Sequence, residues 1–196
     1  MWFFQNLLEY RGIQHFITTR IGGFSNQPYD SLNLGFHVGD NPEIVMKNRE
    51  RLALALGIPL TNFTIARQIH GSNVEIVTED LRGSGAFHYE TAIDATDAMV
   101  TSAPHICLMV LQADCVPILF FDLKKKVIGV AHAGWRGTIR TVAQNTVNVM
   151  REIFNCLPKD ILVGIGPSIG PCCYEVDTPV AEAFRLNLGS TGFFTP

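Results

Sequence analysis

The sequence predicts an α/β fold in a single domain, with a mixed sheet flanked by helices, and three observations support this prediction. Short apolar runs rich in β-branched and aromatic residues recur along the chain, with amphipathic segments of helical period between them. The chain has 196 residues, 47% of them hydrophobic, which is enough for one hydrophobic core. No linker or shift in composition divides residues 1–196. We therefore expect one domain over the whole chain.

Strands are predicted where a β-rich apolar run is bounded by turn-forming residues. These runs cover residues 13–19, 63–67, 74–77, 98–101, 106–111, 116–121, 127–131 and 161–165. Their number predicts a sizeable sheet. Three consecutive lysines at residues 124–126 lie between two of the runs and predict a solvated turn.

Three helices are predicted from capping residues and from apolar spacing near 3.6 residues. Asn41 can cap the first helix and Gly57 can end it, while Arg49 and the other charged residues of this helix can face water. Thr138 can cap the second helix. The three helices are predicted over residues 42–56, 138–154 and 178–188.

Charge and cysteine content narrow the function classes. The net charge is −3 and both signs are interspersed, so neither nucleic acid nor a membrane surface is expected as a partner. No stretch reaches transmembrane length. Five cysteines cannot form a complete disulfide framework, which favours reduced thiols and a cytoplasmic location. A small molecule is the expected partner.

Three short segments place chemically active side chains at the ends of predicted strands, where α/β proteins build their sites. They are Gln68-Ile69-His70-Gly71, Ala113-Asp114-Cys115 and His132-Ala133-Gly134-Trp135-Arg136-Gly137. Two histidines and one cysteine match the ligand set of a catalytic zinc, which leaves a fourth position for water or substrate. The glycines of the last segment permit close backbone approach, and the helix start that follows favours an anion.

The same residues allow other interpretations. His70 alone could be a hydrogen-bonded strand end, and Cys115 a small buried hydrophobe. Asp114 could cap a turn, and Arg136 could stack on the neighbouring tryptophan. Cys115 and His132 could also form the metal-free thiolate–imidazole dyad of a hydrolase or deamidase, with His70 orienting the imidazole. A non-catalytic metal-binding module is a further alternative, although such a module usually closes zinc with a fourth protein ligand.

Together with further motifs, these segments resemble one protein family. In chain order the motifs are Thr18-Thr19-Arg20-Ile21-Gly22-Gly23, Ser31-Leu32-Asn33-Leu34-Gly35-Phe36-His37-Val38-Gly39-Asp40, Gln68-Ile69-His70-Gly71, Asp97-Ala98, Ala113-Asp114-Cys115, the block from His132 to Gly137, and Gly166-Pro167-Ser168-Ile169-Gly170. Over roughly residues 18–176 the chain is identified as a member of the laccase-domain family. This family was formerly called multicopper polyphenol oxidases and is now described as purine nucleoside phosphorylases with adenosine deaminase activity.

The resemblance implies a YfiH-like layered fold, a zinc cofactor, and purine nucleosides (adenosine, inosine or methylthioadenosine) with phosphate as substrates. Copper is the less favoured cofactor, and a copper-dependent polyphenol oxidase fits poorly, because none of the six histidines forms a His-x-His pair. The site residues that the resemblance implies are His70, Cys115 and His132 as metal ligands, Cys115, His132, Asp114 and Arg136 as catalytic residues, and Arg20, Asn33, His37 and Gln68 as substrate-binding residues.

The resemblance also implies a mechanism, and this chain differs from the family in one respect. Zinc would activate water for deamination, Asp114 would pass a proton to the leaving amine, and Arg136 or Arg20 would hold the phosphate. Family members usually continue a few tens of residues beyond the block Cys172-Cys173-Tyr174-Glu175-Val176 and end in a further strand. We therefore expect this chain to lack the C-terminal segment of the family. The two adjacent cysteines of that block are expected to be packing thiols in a turn.

Overall fold

The structure is a computed structural model that describes residues 1–10 and 12–189. Within these ranges, seven strands form two sheets, and the chain also forms five α-helices. The strands are β1 (Phe63–Ile65), β2 (Val74–Ile76), β3 (Ala98–Thr101), β4 (Cys107–Met109), β5 (Val116–Asp122), β6 (Val127–Ala133) and β7 (Ile161–Ile165). The helices are α1 (Gln5–Leu8), α2 (Pro42–Leu56), α3 (Trp135–Ile139), α4 (Val142–Phe154) and α5 (Thr178–Leu188).

The larger sheet is mixed and has the strand order β2–β3–β6–β5–β7. Strands β2 and β3 are parallel, and the other neighbours are antiparallel. Helix α4 covers one face, where Val100, Phe120 and Met150 belong to a single buried apolar cluster. A second cluster that includes Met99 and Val130 forms beside it. This arrangement confirms the predicted α/β class and mixed sheet.

Most of the predicted strands are present, although they divide between two sheets. Residues 98–101 and 161–165 have the predicted bounds, and β1 and β4 pair with each other in parallel, apart from the larger sheet. The strand predicted over residues 13–19 is wrong: this segment makes one isolated antiparallel bridge, between Ile17 and Trp2. The residues after Trp2 turn into α1, so no partner strand continues the ladder.

The turn predicted at the three lysines is confirmed. It joins β5 to β6 in an antiparallel hairpin, in which Val116 faces Ala133 and Asp122 faces Val127. The side chain of Lys124 is 68% exposed. This hairpin fixes the register between the two strands that carry Cys115 and His132.

Helix α2 confirms the capping prediction but corrects the role of one residue. The Asn41 side chain accepts a hydrogen bond from the Glu43 N–H at 2.8 Å, and Gly57 ends the helix in the left-handed region at φ 65°. Arg49, however, does not face water, because it is only 3% exposed. Its guanidinium donates to carbonyl groups of two loops that are distant in sequence.

The carbonyl oxygens that surround the Arg49 guanidinium belong to Leu34, Gly85 and Ala86. The Phe36 ring lies 4.1 Å away and adds a cation–π contact. Burial lowers the pKa of Arg49 to about 10, so the side chain still carries its charge at neutral pH. Arg49 therefore connects α2 to two irregular loops.

The helix predicted over residues 138–154 is wrong as a single element. It is divided into α3 and α4, because Thr141 adopts the left-handed region at φ 58° between them. Thr138 lies inside α3 and caps nothing, while Gly134 directly precedes that helix. Helix α5 has the predicted bounds, and the Asp177 side chain accepts from the Val180 N–H at its start.

The cysteines are free thiols, and none of the described helices is long and apolar enough to cross a membrane. Cys172 and Cys173 lie in a turn as expected, with their sulfur atoms 3.2 Å apart. Both are exposed, however, so the expectation that they are packing thiols is wrong.

Replacing the buried arginine tests how strongly it holds α2 to these loops. Arg49→Met should lower the free energy of unfolding by at least about 2 kcal/mol, because buried carbonyl oxygens lose their donors. Lys47→Ala, at an exposed position of the same helix, should change it by less than about 0.5 kcal/mol. Urea denaturation of the three proteins measures both values, and equal effects would contradict this role of Arg49.

Candidate metal centre

The three predicted metal ligands come together at one place in the structure. The donor atoms of His70, Cys115 and His132 all lie within 4.8 Å of one another. Among the described residues, this is the one group of three or more His, Cys, Asp and Glu side chains with such spacing. The two imidazole rings meet edge to face, with centroids 4.8 Å apart. The structure thus joins residues that are far apart in the sequence.

Sheet pairing explains how the ligands meet. His132 lies near the end of β6, opposite Pro117 of β5, and Cys115 directly precedes β5. The hairpin therefore brings these two residues together. His132 is 3% exposed, Cys115 is half-buried and His70 is exposed, so the cluster reaches from the interior to the surface.

A buried carboxylate holds two of these ligands. Asp97, directly before β3, accepts from the Nδ1 of His132 at 2.9 Å and from the backbone N–H of His70 at 3.0 Å. Its other oxygen accepts from the N–H groups of Ile69 at 3.1 Å and Gly71 at 2.7 Å. Sequence reasoning assigns Asp97 no role, although the pair Asp97-Ala98 is one of the motifs of the family resemblance and the acid directly precedes a predicted strand.

The ionisation of Asp97 follows from these contacts. Burial by itself would raise the pKa of the carboxyl, but the hydrogen bonds from His132, Gly71 and Ile69 together hold the pKa below its usual value. The group is therefore a carboxylate at neutral pH, and a carboxylate can only accept hydrogen bonds.

A glycine leaves the space in which the ligands meet. A Cβ atom on Gly134 would lie 2.9 Å from Cδ2 of His70 and 3.1 Å from Sγ of Cys115. Gly134 has φ −70°, which any residue can adopt. Glycine is therefore needed at this position because a side chain would not fit, and not because the backbone conformation requires it.

The surroundings favour a neutral His70 imidazole and a protonated Cys115 thiol in the metal-free protein. Burial lowers the pKa of His70 most, and His132 lowers it further; Asp97 raises it, and Arg136 has the smallest, lowering effect. Burial raises the pKa of Cys115, as do the charges of Asp114 and Asp97. A nucleophilic thiolate needs a lowered pKa, so these effects disfavour the metal-free dyad. Neutral imidazole is the form that ligates metals.

Two predicted substrate-binding residues already have their amide groups engaged. Gln68 donates to the Leu111 carbonyl and accepts from the Leu111 N–H, both at 2.7 Å. Asn33 donates to the Asp40 carboxylate at 3.0 Å and accepts from the Gly35 N–H at 3.0 Å. Gln68 thereby connects the loop that carries His70 to the segment that leads to Cys115.

The two arginines differ in position. Arg20 lies at a cavity wall with its side chain 70% exposed, where it pairs with the Asp30 carboxylate at 3.1 Å. Arg136 lies outside that cavity lining, and its guanidinium stacks 4.2 Å from the Trp135 ring centroid. Its charge contributes slightly to the lowered pKa of His70, after burial and the neighbouring His132.

The remaining predicted residues lie beside the ligands. Asp114 is exposed, and its backbone carbonyl accepts from the Ile169 N–H at 3.0 Å. His37 stacks on Tyr89 with ring centroids 5.8 Å apart. Burial, with the charge of Arg49 and the neighbouring His70, lowers the pKa of His37. His37 is therefore a neutral, aromatic part of the site at pH 7.

Most of these side chains surround one open cavity of about 2020 Å³. A typical pocket for a drug-sized molecule is about 300–1,000 Å³, so this cavity has ample room for a small molecule. The predicted site residues that line the cavity are Arg20, Asn33, His37, Gln68, His70, Asp114, Cys115 and His132.

The family model described as multi-copper polyphenol oxidoreductase laccase matches residues 14–195. This chain belongs to that family. It is 42% identical over 172 residues to the purine nucleoside phosphorylase YlmD of Geobacillus stearothermophilus, covering 88% of this chain and 63% of the relative. It is 38% identical over 174 residues to the purine nucleoside phosphorylase YfiH of Escherichia coli, covering 89% and 66%.

Solved structures of relatives agree with the fold. The crystal structure of YlmD from Geobacillus stearothermophilus has a TM-score of 0.84 at 43% identity, covering 86% of this chain and 63% of that one. A Bacillus licheniformis protein titled YfiH has a TM-score of 0.83 at 41% identity, covering 87% and 64%. The YfiH-like fold is confirmed, and this chain spans a little under two thirds of these relatives.

Filling the space beside Gly134 should weaken metal binding. Gly134→Ala places a methyl group against His70 and Cys115, so we expect zinc affinity to fall about tenfold or more. Gly170→Ala is the matched control, since its nearest neighbour would be 3.8 Å away and its φ is not positive. Competition with a chromophoric chelator measures both affinities, and an unchanged Gly134→Ala would contradict the site.

Proposed function

We propose that this chain carries the metal centre of a purine nucleoside phosphorylase, in which His70, Cys115 and His132 hold one zinc ion. The observation that carries the proposal is the convergence of these three donors at the wall of a large cavity. The relatives named purine nucleoside phosphorylase support it. Because the chain spans a little under two thirds of the first of these relatives, its activity is itself part of the proposal.

The three donor side chains favour a single zinc ion over a cluster of several copper ions. Two imidazoles and one thiolate are typical zinc ligands, and three protein ligands leave a position open for chemistry. Several copper ions would each need a ligand set, and the described residues supply one group of three. A single copper ion is the alternative occupant, because imidazole and thiolate also bind that metal.

The residues around the ligands can take separate roles in phosphorolysis. In that reaction a phosphate oxygen forms a bond to C1′ of the ribose while the bond from C1′ to the purine nitrogen breaks. A zinc ion would supply a Lewis acid at the cavity wall. Arg20 offers a planar guanidinium for the phosphate, and its exposed ion pair with Asp30 is weak enough to be displaced. Asp114 would carry a proton to the departing base.

Adenosine deamination is the second reaction we propose for the same cavity. Water would add at C6 of the purine, and the amino group would leave as ammonia after Asp114 returns a proton to it. Asp114 suits this role because it is exposed at the cavity wall and adjacent in sequence to Cys115. Without phosphate, we expect this slower conversion of adenosine to inosine to remain.

Removing one ligand tests the centre and the activity together. The wild-type protein should bind about one zinc per chain. Given adenosine and phosphate, it should release adenine and ribose 1-phosphate. Cys115→Ala should lose both properties, whereas Cys172→Ala and Cys173→Ala should keep both, because their thiols are exposed and outside the cluster. Metal analysis and chromatography of the products measure these outcomes.

Two results would contradict this assignment. Stoichiometric zinc in Cys115→Ala would show that the ligand set is wrong. Oxygen-dependent oxidation of phenols, without phosphate-dependent release of adenine, would favour the oxidase that the family description names.

The two arginines can be separated by conservative substitution. Arg20→Lys keeps the charge but loses the planar fork, so the KM for phosphate should rise roughly tenfold or more. Arg136→Lys should change this KM less than threefold, because Arg136 is outside the cavity lining. Steady-state kinetics at varied phosphate measure both, and the reverse ranking would move the phosphate site to Arg136.

A further inference from the structure

The carboxylate of Asp97 is fully buried and fully engaged. One oxygen accepts from His132 Nδ1 and from the His70 N–H, and the other accepts from the N–H groups of Ile69 and Gly71. Each oxygen therefore has two donors, and the four donors come from two segments of the chain. No other residue contacts both histidine ligands in this way among the described hydrogen bonds.

The contact with His132 determines which ring nitrogen is free. A carboxylate only accepts, so Nδ1 of a neutral imidazole must carry the hydrogen that is shared at 2.9 Å. The other nitrogen, Nε2, then has the lone pair that a metal needs. The backbone N–H of His132 also donates to the Asp97 carbonyl at 2.8 Å, which fixes the distance between the two residues.

The contact with the loop determines where His70 lies. His70 has φ 58°, in the left-handed region that a side chain with a Cβ atom disfavours. Three consecutive N–H groups, of residues 69–71, point at the Asp97 carboxylate and stabilise this conformation. A backbone that is disfavoured by itself is thus held by one side chain, from the residue directly before β3.

We propose that Asp97 is the positioning residue of the metal centre: it sets the tautomer of His132 and the backbone conformation of His70, and so presents two of the three donors. The inference rests on the metal centre described under the proposed function, and it does not depend on which reaction the centre performs. Cys115 is presented independently, by the hairpin of β5 and β6.

The substitution Asp97→Asn separates this role from simple packing, because it replaces one carboxylate oxygen with an NH₂ group and preserves the shape. If the NH₂ group of the asparagine points toward Ile69 and Gly71, it faces their backbone N–H groups, and these donors then have no acceptor. With the NH₂ group toward His132, the imidazole must accept at Nδ1, and the hydrogen moves to Nε2. Both orientations weaken the presentation of ligands, so metal affinity should fall about 10- to 100-fold.

The test is chelator competition with zinc, and with cobalt as a spectroscopic probe of the thiolate ligand. Asp97→Asn should bind both metals 10- to 100-fold more weakly than the wild-type protein. Asp122→Asn is the matched control: it is a buried aspartate at the far end of the same hairpin, where it accepts from the Lys125 N–H. Affinities of Asp97→Asn equal to those of wild type, in a folded protein, would overturn the proposal.

A measurement on the metal-free wild-type protein keeps the proposal testable even where the variant fails to fold. Nitrogen-15 NMR should show His132 in the tautomer that is protonated at Nδ1, with slow exchange of that hydrogen. A hydrogen on Nε2 instead would overturn the inference. Wild-type protein that binds zinc but releases no adenine would refute the proposed function and leave the role of Asp97 intact.

Discussion

The buried carboxylate of Asp97 is the interaction on which the site depends. An unpaired charge in the interior would be strongly unfavourable, and only several hydrogen bonds make it stable there. Its partners, the loop of residues 69–71 and His132 on β6, are joined by no other side chain among the described hydrogen bonds. The left-handed conformation of His70 costs of order 1–3 kcal/mol and persists because this network outweighs it.

Strand order places that carboxylate where it is needed. Strands β3 and β6 are antiparallel neighbours with Ala98 opposite Ala131, so Asp97 and His132 come directly beside each other. Strand β5 lies on the other side of β6 and delivers Cys115 from the opposite direction. The central position of β6 therefore explains why one ligand is buried and why the other two approach it from its two sides.

The sequence predicts the donors better than it predicts their support. His70, Cys115 and His132 stand out because a thiol and two imidazoles at strand ends form a familiar ligand set, and the structure brings them together. The cap of α2 is a local signal, which is why Asn41 could be predicted.

Arg49 and Asp97 are misread for the same physical reason, and the break at Thr141 has another. Arg49 looks like a surface residue because the carbonyl groups that it binds are 15 to 37 residues away in the sequence. Asp97 looks like a loop acid because its four donors belong to residues 26 to 35 positions away. The break at Thr141 depends on a backbone angle that the apolar period of the helix does not reveal. For Arg49 and Asp97, contacts formed by the tertiary fold override a local pattern.

The charges of the site explain why a cation fits it better than a free nucleophile does. Asp97 and Asp114 both act on Cys115, and in the metal-free protein burial and these carboxylates raise the pKa of its thiol. The same negative charges attract a divalent cation, which in turn favours loss of the thiol hydrogen because thiolate is the ligating form. One arrangement of charges therefore suppresses a reactive thiolate and supports a metal–thiolate bond. The carboxylates that weaken the hydrolase hypothesis are thus those that strengthen the metal centre.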